Sequence, residues 1–235
     1  MSGPLLALHG VRAGYGARPV LDGVALTLAA GEGLALVGRN GAGRSTLAKA
    51  IMGIVPAAGS IRIDGVEMAG APTFAIARLG VGYVAERRDV FGLLSVEDNL
   101  RLGLRGASRR ERQAAFEAVR EQFPALAARW HARAAVLSGG EQQMLALARA
   151  TVGSPRVLIV DEPTEGLAPR VVEAVGACLM RQREAGVALL LIEQRRQLSA
   201  TLASRLAVME RGRIVYDGAP EALGAADEAR WLGAG

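Results

Sequence analysis

The nine residues Gly38-Arg39-Asn40-Gly41-Ala42-Gly43-Arg44-Ser45-Thr46 constrain this chain more than any other stretch. An apolar run, Leu34 to Val37, precedes them, and a segment that reads as a helix, Leu47 to Met52, follows. Strand, glycine turn and helix together aim several backbone N–H groups and a helix N-terminus at one spot. Such a spot binds anions, and a polyphosphate is the anion that needs so many donors at once. The spacing fits G-x(4)-G-K-[ST], a phosphate-binding loop, except that Arg44 stands where the lysine belongs. Taken alone, an ordinary glycine-rich turn competes with that reading, so the rest of the chain has to decide.

At 235 residues the chain is long enough for one domain, or one domain with an insertion. It is 51% hydrophobic but only 4% aromatic, which predicts an aliphatic core. The longest apolar run, Val187 to Ile192, is far short of the ~20 residues that cross a bilayer. No basic segment leading into an apolar one marks a signal peptide, and a cytoplasmic location is expected. Cys178, the single cysteine, reads as a small core residue, and two distant histidines do not suggest a zinc site. The net charge of +5 fits an anionic partner. Its arginines are dispersed and Lys49 is the sole lysine, so no basic stripe interleaved with aromatics argues for nucleic acid.

Along the chain, residues 5 to 28 read as two or three short strands, with Tyr15 in a Gly-Tyr-Gly turn between them. That tyrosine is either a half-buried loop residue or a flat face for a base, and its place upstream of the loop favours the second. Strands are expected at 60–65 and 81–84, with a short helix at 73–78 between them. Glu86 lies just past the 81–84 strand, where ligands of open sheets gather; a solvated charged loop is the competing reading. Residues 95 to about 135 carry two helix starts, Ser95-x-x-Asp98 and Ser108-x-x-Glu111, and no strand pattern. Leu137-Ser138-Gly139-Gly140-Glu141-Gln142 opens another helix. A capping box explains Ser138 and Glu141 but not the two glycines between them, which suit close approach to a ligand. Val157 to Val160 is a buried strand ending in Asp161-Glu162-Pro163, a carboxylate pair that is costly without a cation or water. Pro169 opens a helix, residues 187–192 form a strand, 206–216 a hairpin turning at Arg211-Gly212, and a short helix ends the chain.

Taken together, these motifs resemble the ATP-binding subunit of an ABC transporter over the whole chain, the Leu-Ser-Gly-Gly-Glu-Gln run followed by Ile-Val-Asp-Glu-Pro being the specific part. The resemblance implies an α/β P-loop NTPase fold. Its mixed, mostly parallel sheet is flanked by helices, with an N-terminal antiparallel β subdomain. The chain is then a single domain over 1–235, with a helical subdomain inserted at approximately 88–150. It also implies ATP and Mg2+, with Tyr15 on the adenine and Gly38, Arg39, Asn40, Gly41, Ala42, Gly43, Arg44, Ser45 and Thr46 around the phosphates. Ser45 and Asp161 would hold the magnesium, and Glu162 would polarise the attacking water. Ser138, Gly139 and Gly140 would contact nucleotide bound to a second subunit in a head-to-tail dimer.

Two departures mark a subgroup: Glu86 stands where a magnesium-sensing glutamine is usual, and Gln194 where the switch histidine is. Both, with the runs 84–91 and 163–169, resemble the second ATPase of branched-chain amino acid importers and their urea or amide relatives. That likeness implies transmembrane permease subunits, a sister ATPase, a periplasmic solute-binding protein, and a peripheral position on the cytoplasmic face of the inner membrane. Arg44 departs from the subgroup as well. It keeps the charge but is wider than lysine, which leaves two expectations: a working ATPase of altered rate, or a nucleotide-binding subunit with weak hydrolysis beside a competent partner.

Overall fold

The computed structural model describes residues 3–104, 106–193 and 196–232. In chain order the elements are β1 (Leu6–Tyr15), β2 (Arg18–Leu28), β3 (Gly33–Val37), α1 (Arg44–Ile51), β4 (Ala57–Ile63), β5 (Val66–Glu67), α2 (Thr73–Arg78) and β6 (Val81–Val84). Helices α3 (Val96–Gly103), α4 (Arg109–Gln122), α5 (Pro124–Ala127) and α6 (Gly139–Thr151) come next. The chain then continues through β7 (Val157–Asp161), α7 (Pro169–Glu184), β8 (Ala188–Ile192), α8 (Arg196–Leu202), β9 (Arg205–Glu210), β10 (Arg213–Gly218) and α9 (Ala225–Leu232).

Two sheets carry the fold. One is antiparallel, in the order β2-β1-β4-β5; the other runs β10-β9-β3-β8-β7-β6 and is parallel except for its β9–β10 hairpin. The apolar runs of β7 and β8 follow from their place in the middle of that second sheet, where both faces are covered. Alternation decides which core each residue enters. Val157, Ile159, Leu190 and Ile192 join α1 and the antiparallel sheet on one side, while Leu158, Val160, Leu189 and Leu191 face α6 and α7 on the other. Cys178 lies in the second core, where burial pushes its thiol up to about 11.

The N-terminal stretch differs from expectation: it forms two long strands rather than two or three short ones. Register shifts between Leu8 and Gly14 let the β1–β2 ribbon bend without breaking, so one strand looks interrupted in its alternation. The segment between β6 and β7 holds helices and no named strand among its described residues.

Candidate active site

Parallel pairing sets the carboxyl ends of β3, β8, β7 and β6 side by side. Leu36 is opposite Ile192, Ile192 opposite Asp161, and Val84 opposite Val160. Everything that leaves those strand ends therefore converges, as ligand sites in open sheets do. Out of β3 comes the 38–43 loop, which feeds α1 at Arg44. Gly43, the residue before the helix, has φ of 110°, and a Cβ there would lie 3.0 Å from Leu21 Cδ2. A Cβ on Gly38 would meet the Met209 carbonyl oxygen at 2.3 Å. The glycines therefore let the loop fold tightly against β2 and β9 while the first turn of α1, whose N–H groups have no intrahelical acceptor, faces the cleft.

The cleft is about 460 Å³ and is lined by residues 40–46 together with Val20, Glu86, Glu162 and Glu165. Ser45 donates a hydrogen bond to Asp161 Oδ1 at 3.1 Å, joining the loop to the end of β7. Asp161 Oδ2 is buried without a hydrogen-bond partner among the described residues. Burial pushes the Asp161 carboxyl up to about 6; the Ser45 hydrogen bond opposes that rise, and the charges of Glu162 and Glu86 add to it. Glu162 sits in the left-handed backbone region with φ of 46°, uncommon for a residue other than glycine, and its N–H is held by the Ile192 carbonyl at 2.8 Å. Its Oε1 accepts from Arg44 Nη2 at 3.0 Å, and that arginine is only 6% exposed.

The other expected residues differ in where they lie relative to this centre. Tyr15 ends β1 half exposed, its hydroxyl 3.5 Å from Thr46 Oγ1. Glu86 is exposed and borders the cleft. Gln194 lies outside the described residues. Ser138, Gly139 and Gly140 do not line this cleft; they begin α6, where Ser138 and Glu141 form the expected capping box. The space over the two glycines is shared with the chain's own side chains: a Cβ on Gly139 would lie 2.2 Å from Arg88 Nη1, and one on Gly140 2.8 Å from Val171 Cγ2.

The sequence reading missed several groups that hold the site in place. Asn99, fully buried, accepts from the Phe91 N–H at 2.9 Å and donates to the Phe91 carbonyl at 3.1 Å. Arg149 donates to the Asp89 carbonyl and stacks over the Phe91 ring at 5.0 Å. Thr164 donates to Glu193 Oε2 at 2.6 Å in the interior. A lone asparagine or arginine carries no spacing signal, and Thr164, although inside the 163–169 run, gave none for its partner Glu193. A larger groove of about 700 Å³, beside the Asp64–Arg156 ion pair, gathers none of the expected site residues.

The ABC transporter family model matches residues 21–165. The chain is 40% identical over 220 residues to the high-affinity branched-chain amino acid transport ATP-binding protein BraG of Pseudomonas aeruginosa, covering 93% of this chain and 94% of that one. It is 32% identical over 215 residues to the probable branched-chain amino acid transport ATP-binding protein LivF of Archaeoglobus fulgidus, covering 91% of each. A solved ATP-binding subunit of an ABC transporter shares the fold with a TM-score of 0.85 at 28% identity, over 93% of this chain and 91% of that one. The chain belongs to the ABC transporter family, as one of its ATP-binding, ATPase-type members.

Proposed function

We propose that the chain binds and hydrolyses ATP in the cleft between residues 38–46 and the ends of β6 and β7. It thereby powers solute import through a separate permease at the cytoplasmic face of the membrane. The observation that carries this is the convergence of the glycine loop, Ser45, Asp161 and Glu162 at neighbouring strand ends. The solute class, branched-chain amino acids, is taken from the names of BraG and LivF. In this reading residues 1–235 are one ATP-binding domain, with a helical subdomain at about 88–150. Two such chains, or this one and a sister ATPase, pair head to tail, and a periplasmic binding protein delivers the solute.

Each residue then has a task. Tyr15, exposed beside Thr46, offers its ring to the adenine. Backbone N–H groups of Gly38 to Thr46 and the N-terminus of α1 hold the phosphates. Magnesium fits: Ser45 Oγ and Asp161 are adjacent hard oxygen donors, and the unpartnered Asp161 Oδ2 suits an ion's hydration shell, with Glu86 at the rim. Bound there, the ion supplies positive charge for the phosphoryl oxygens as charge shifts toward the leaving group. Glu162 accepts the proton of the water that attacks the terminal phosphorus, and the Gln194 amide donates to a phosphate oxygen. Ser138, Gly139 and Gly140 meet the nucleotide of the partner subunit.

The test is phosphate release by the chain assembled with its permease and partner ATPase. Magnesium-dependent hydrolysis that falls at least ~100-fold in Glu162→Gln is expected; turnover unaffected by that substitution would reject the assignment. The Arg44–Glu162 ion pair favours a second reading, in which the wide guanidinium slows hydrolysis and the competent partner does most of the work. Arg44→Lys is then expected to raise the turnover of the assembled complex. An unchanged rate would show that the guanidinium is tolerated.

A further inference from the structure

Arg44 enters the cleft from the first residue of α1, yet its hydrogen bonds do not go to its own loop's backbone. Nη2 donates across the cleft to Glu162 Oε1 at 3.0 Å and to Asn40 Oδ1 at 3.4 Å, while Nη1 is buried with no acceptor among the described residues. A guanidinium presents five donors in one plane, and leaving part of that fork unsatisfied in a buried site is unfavourable. The arrangement is therefore only half complete. A phosphate group would complete it, because two of its oxygens can accept from both terminal nitrogens at once. Meanwhile the carboxylate that would take the water's proton has an oxygen engaged by a cation.

We propose that the Arg44–Glu162 pair is a latch. In the nucleotide-free chain the guanidinium restrains Glu162; a bound polyphosphate draws both Arg44 nitrogens onto phosphate oxygens and releases the carboxylate to face water. This rests on the reading of the cleft as a nucleotide site and adds its regulation. The backbone of Glu162 does not depend on the pair, since its N–H is held by Ile192 and its left-handed conformation belongs to the turn. Release thus moves side chains and leaves the turn in place. The device is particular to arginine: a lysine ammonium is a compact point charge with no second planar nitrogen left wanting an acceptor.

Side-chain NMR of the full chain with 15N-labelled arginine reads the latch directly, the Arg44 Nε–H signal being assigned by its loss in Arg44→Lys. In nucleotide-free protein, Glu162→Gln is expected to shift that signal. With saturating Mg2+–ADP, the signal is expected to move and to coincide in the parent chain and in Glu162→Gln. A signal that responds to Glu162→Gln equally with and without ADP describes a fixed bridge and overturns the latch. So does a signal indifferent to Glu162→Gln in the nucleotide-free chain. Equilibrium dialysis with ADP and ATP on the same samples separates the two failures: nucleotide retained with Arg44 still on Glu162 sinks the latch alone. No nucleotide retained, under the same conditions, sinks both the latch and the nucleotide site.

Discussion

Thr164 and Glu193 meet in the interior, 0% and 4% exposed, through a 2.6 Å hydrogen bond that ties the turn after Glu162 to the residue following β8. A threonine hydroxyl that donates to a buried carboxyl group is hard to replace, because valine keeps the shape and removes the donor. Thr164→Val is expected to destabilise the chain by about 2 kcal/mol, read as a lower urea midpoint at constant slope. Loss of this strut should also loosen the position of Glu162 two residues away, so turnover of the assembled complex should fall along with stability. At this scale the sequence showed one class of residue and hid another. Ser45, Asp161 and Glu162 were legible because their chemistry sits in contiguous motifs at a strand's end. Thr164–Glu193, Asn99 and Arg149 were not, because each acts on a partner that only the fold brings near. Arg44 lies between the two: its position was readable from spacing, and its partner Glu162, 118 residues on, was not.

Helices α4 and α6 begin with the same device, which separates local stability from function. Ser108 accepts from Glu111 N–H and Glu111 returns the bond at the start of α4; Ser138 and Glu141 do the same at α6. Ser108→Ala and Ser138→Ala should each cost about 1 kcal/mol in denaturant unfolding. Only Ser138→Ala should also lower phosphate release by the assembled complex. Equal effects of the two substitutions on turnover would reduce Ser138 to a cap. The small β4–β5 hairpin has its own electrostatic anchor, since Glu67 accepts from Ser60 Oγ, Ile61 N–H and Ala69 N–H. Those bonds, the Ser60 hydroxyl first, hold its carboxyl down from the ordinary 4.5 to about 2. A depressed folded-state value means the contribution is complete above about pH 4.5 and is lost as pH falls toward 2. Glu67→Gln should therefore flatten the stability profile in that window and leave its shape near neutrality unaltered. A profile parallel to the parent's down to pH 2 would show that the carboxylate contributes nothing there. Element boundaries were readable wherever a cap, a proline or an unbroken apolar run marked them, as at Ser108, Pro169 and β7. They blurred in β1 and β2, where bulges break the alternation, and β5 is too short to show any.

The molecule as a whole presents an apolar strip that its own core does not cover. Phe91, Leu93 and Val136 are 54%, 84% and 65% exposed. They adjoin one another because the 92–94 segment hydrogen-bonds to 134–135, through Ala135 N–H to Gly92 and Ala134 N–H to Leu94. Beneath the strip Asn99 and Arg149 fasten the 89–91 loop to α3 and α6, and Glu86 at the head of the same loop borders the cleft. The 86–91 loop thus links the cleft to an exposed hydrophobic ridge. No helix among the described residues is long and apolar enough to cross a membrane; if the chain docks on a permease as proposed, this ridge is an apolar surface it offers. Leu93→Asp tests this with little risk to the fold, since a change at so exposed a position shifts stability by no more than ~0.5 kcal/mol. A buried charge in a docked apolar contact should cost more than ~1.4 kcal/mol, about tenfold in affinity. The expected result is therefore a roughly tenfold loss of chain co-purifying with the permease in detergent, with nucleotide binding by the isolated chain unaltered. Undiminished co-purification would move the docking contact away from the 91–93 ridge and leave the chemistry of the cleft where it stands.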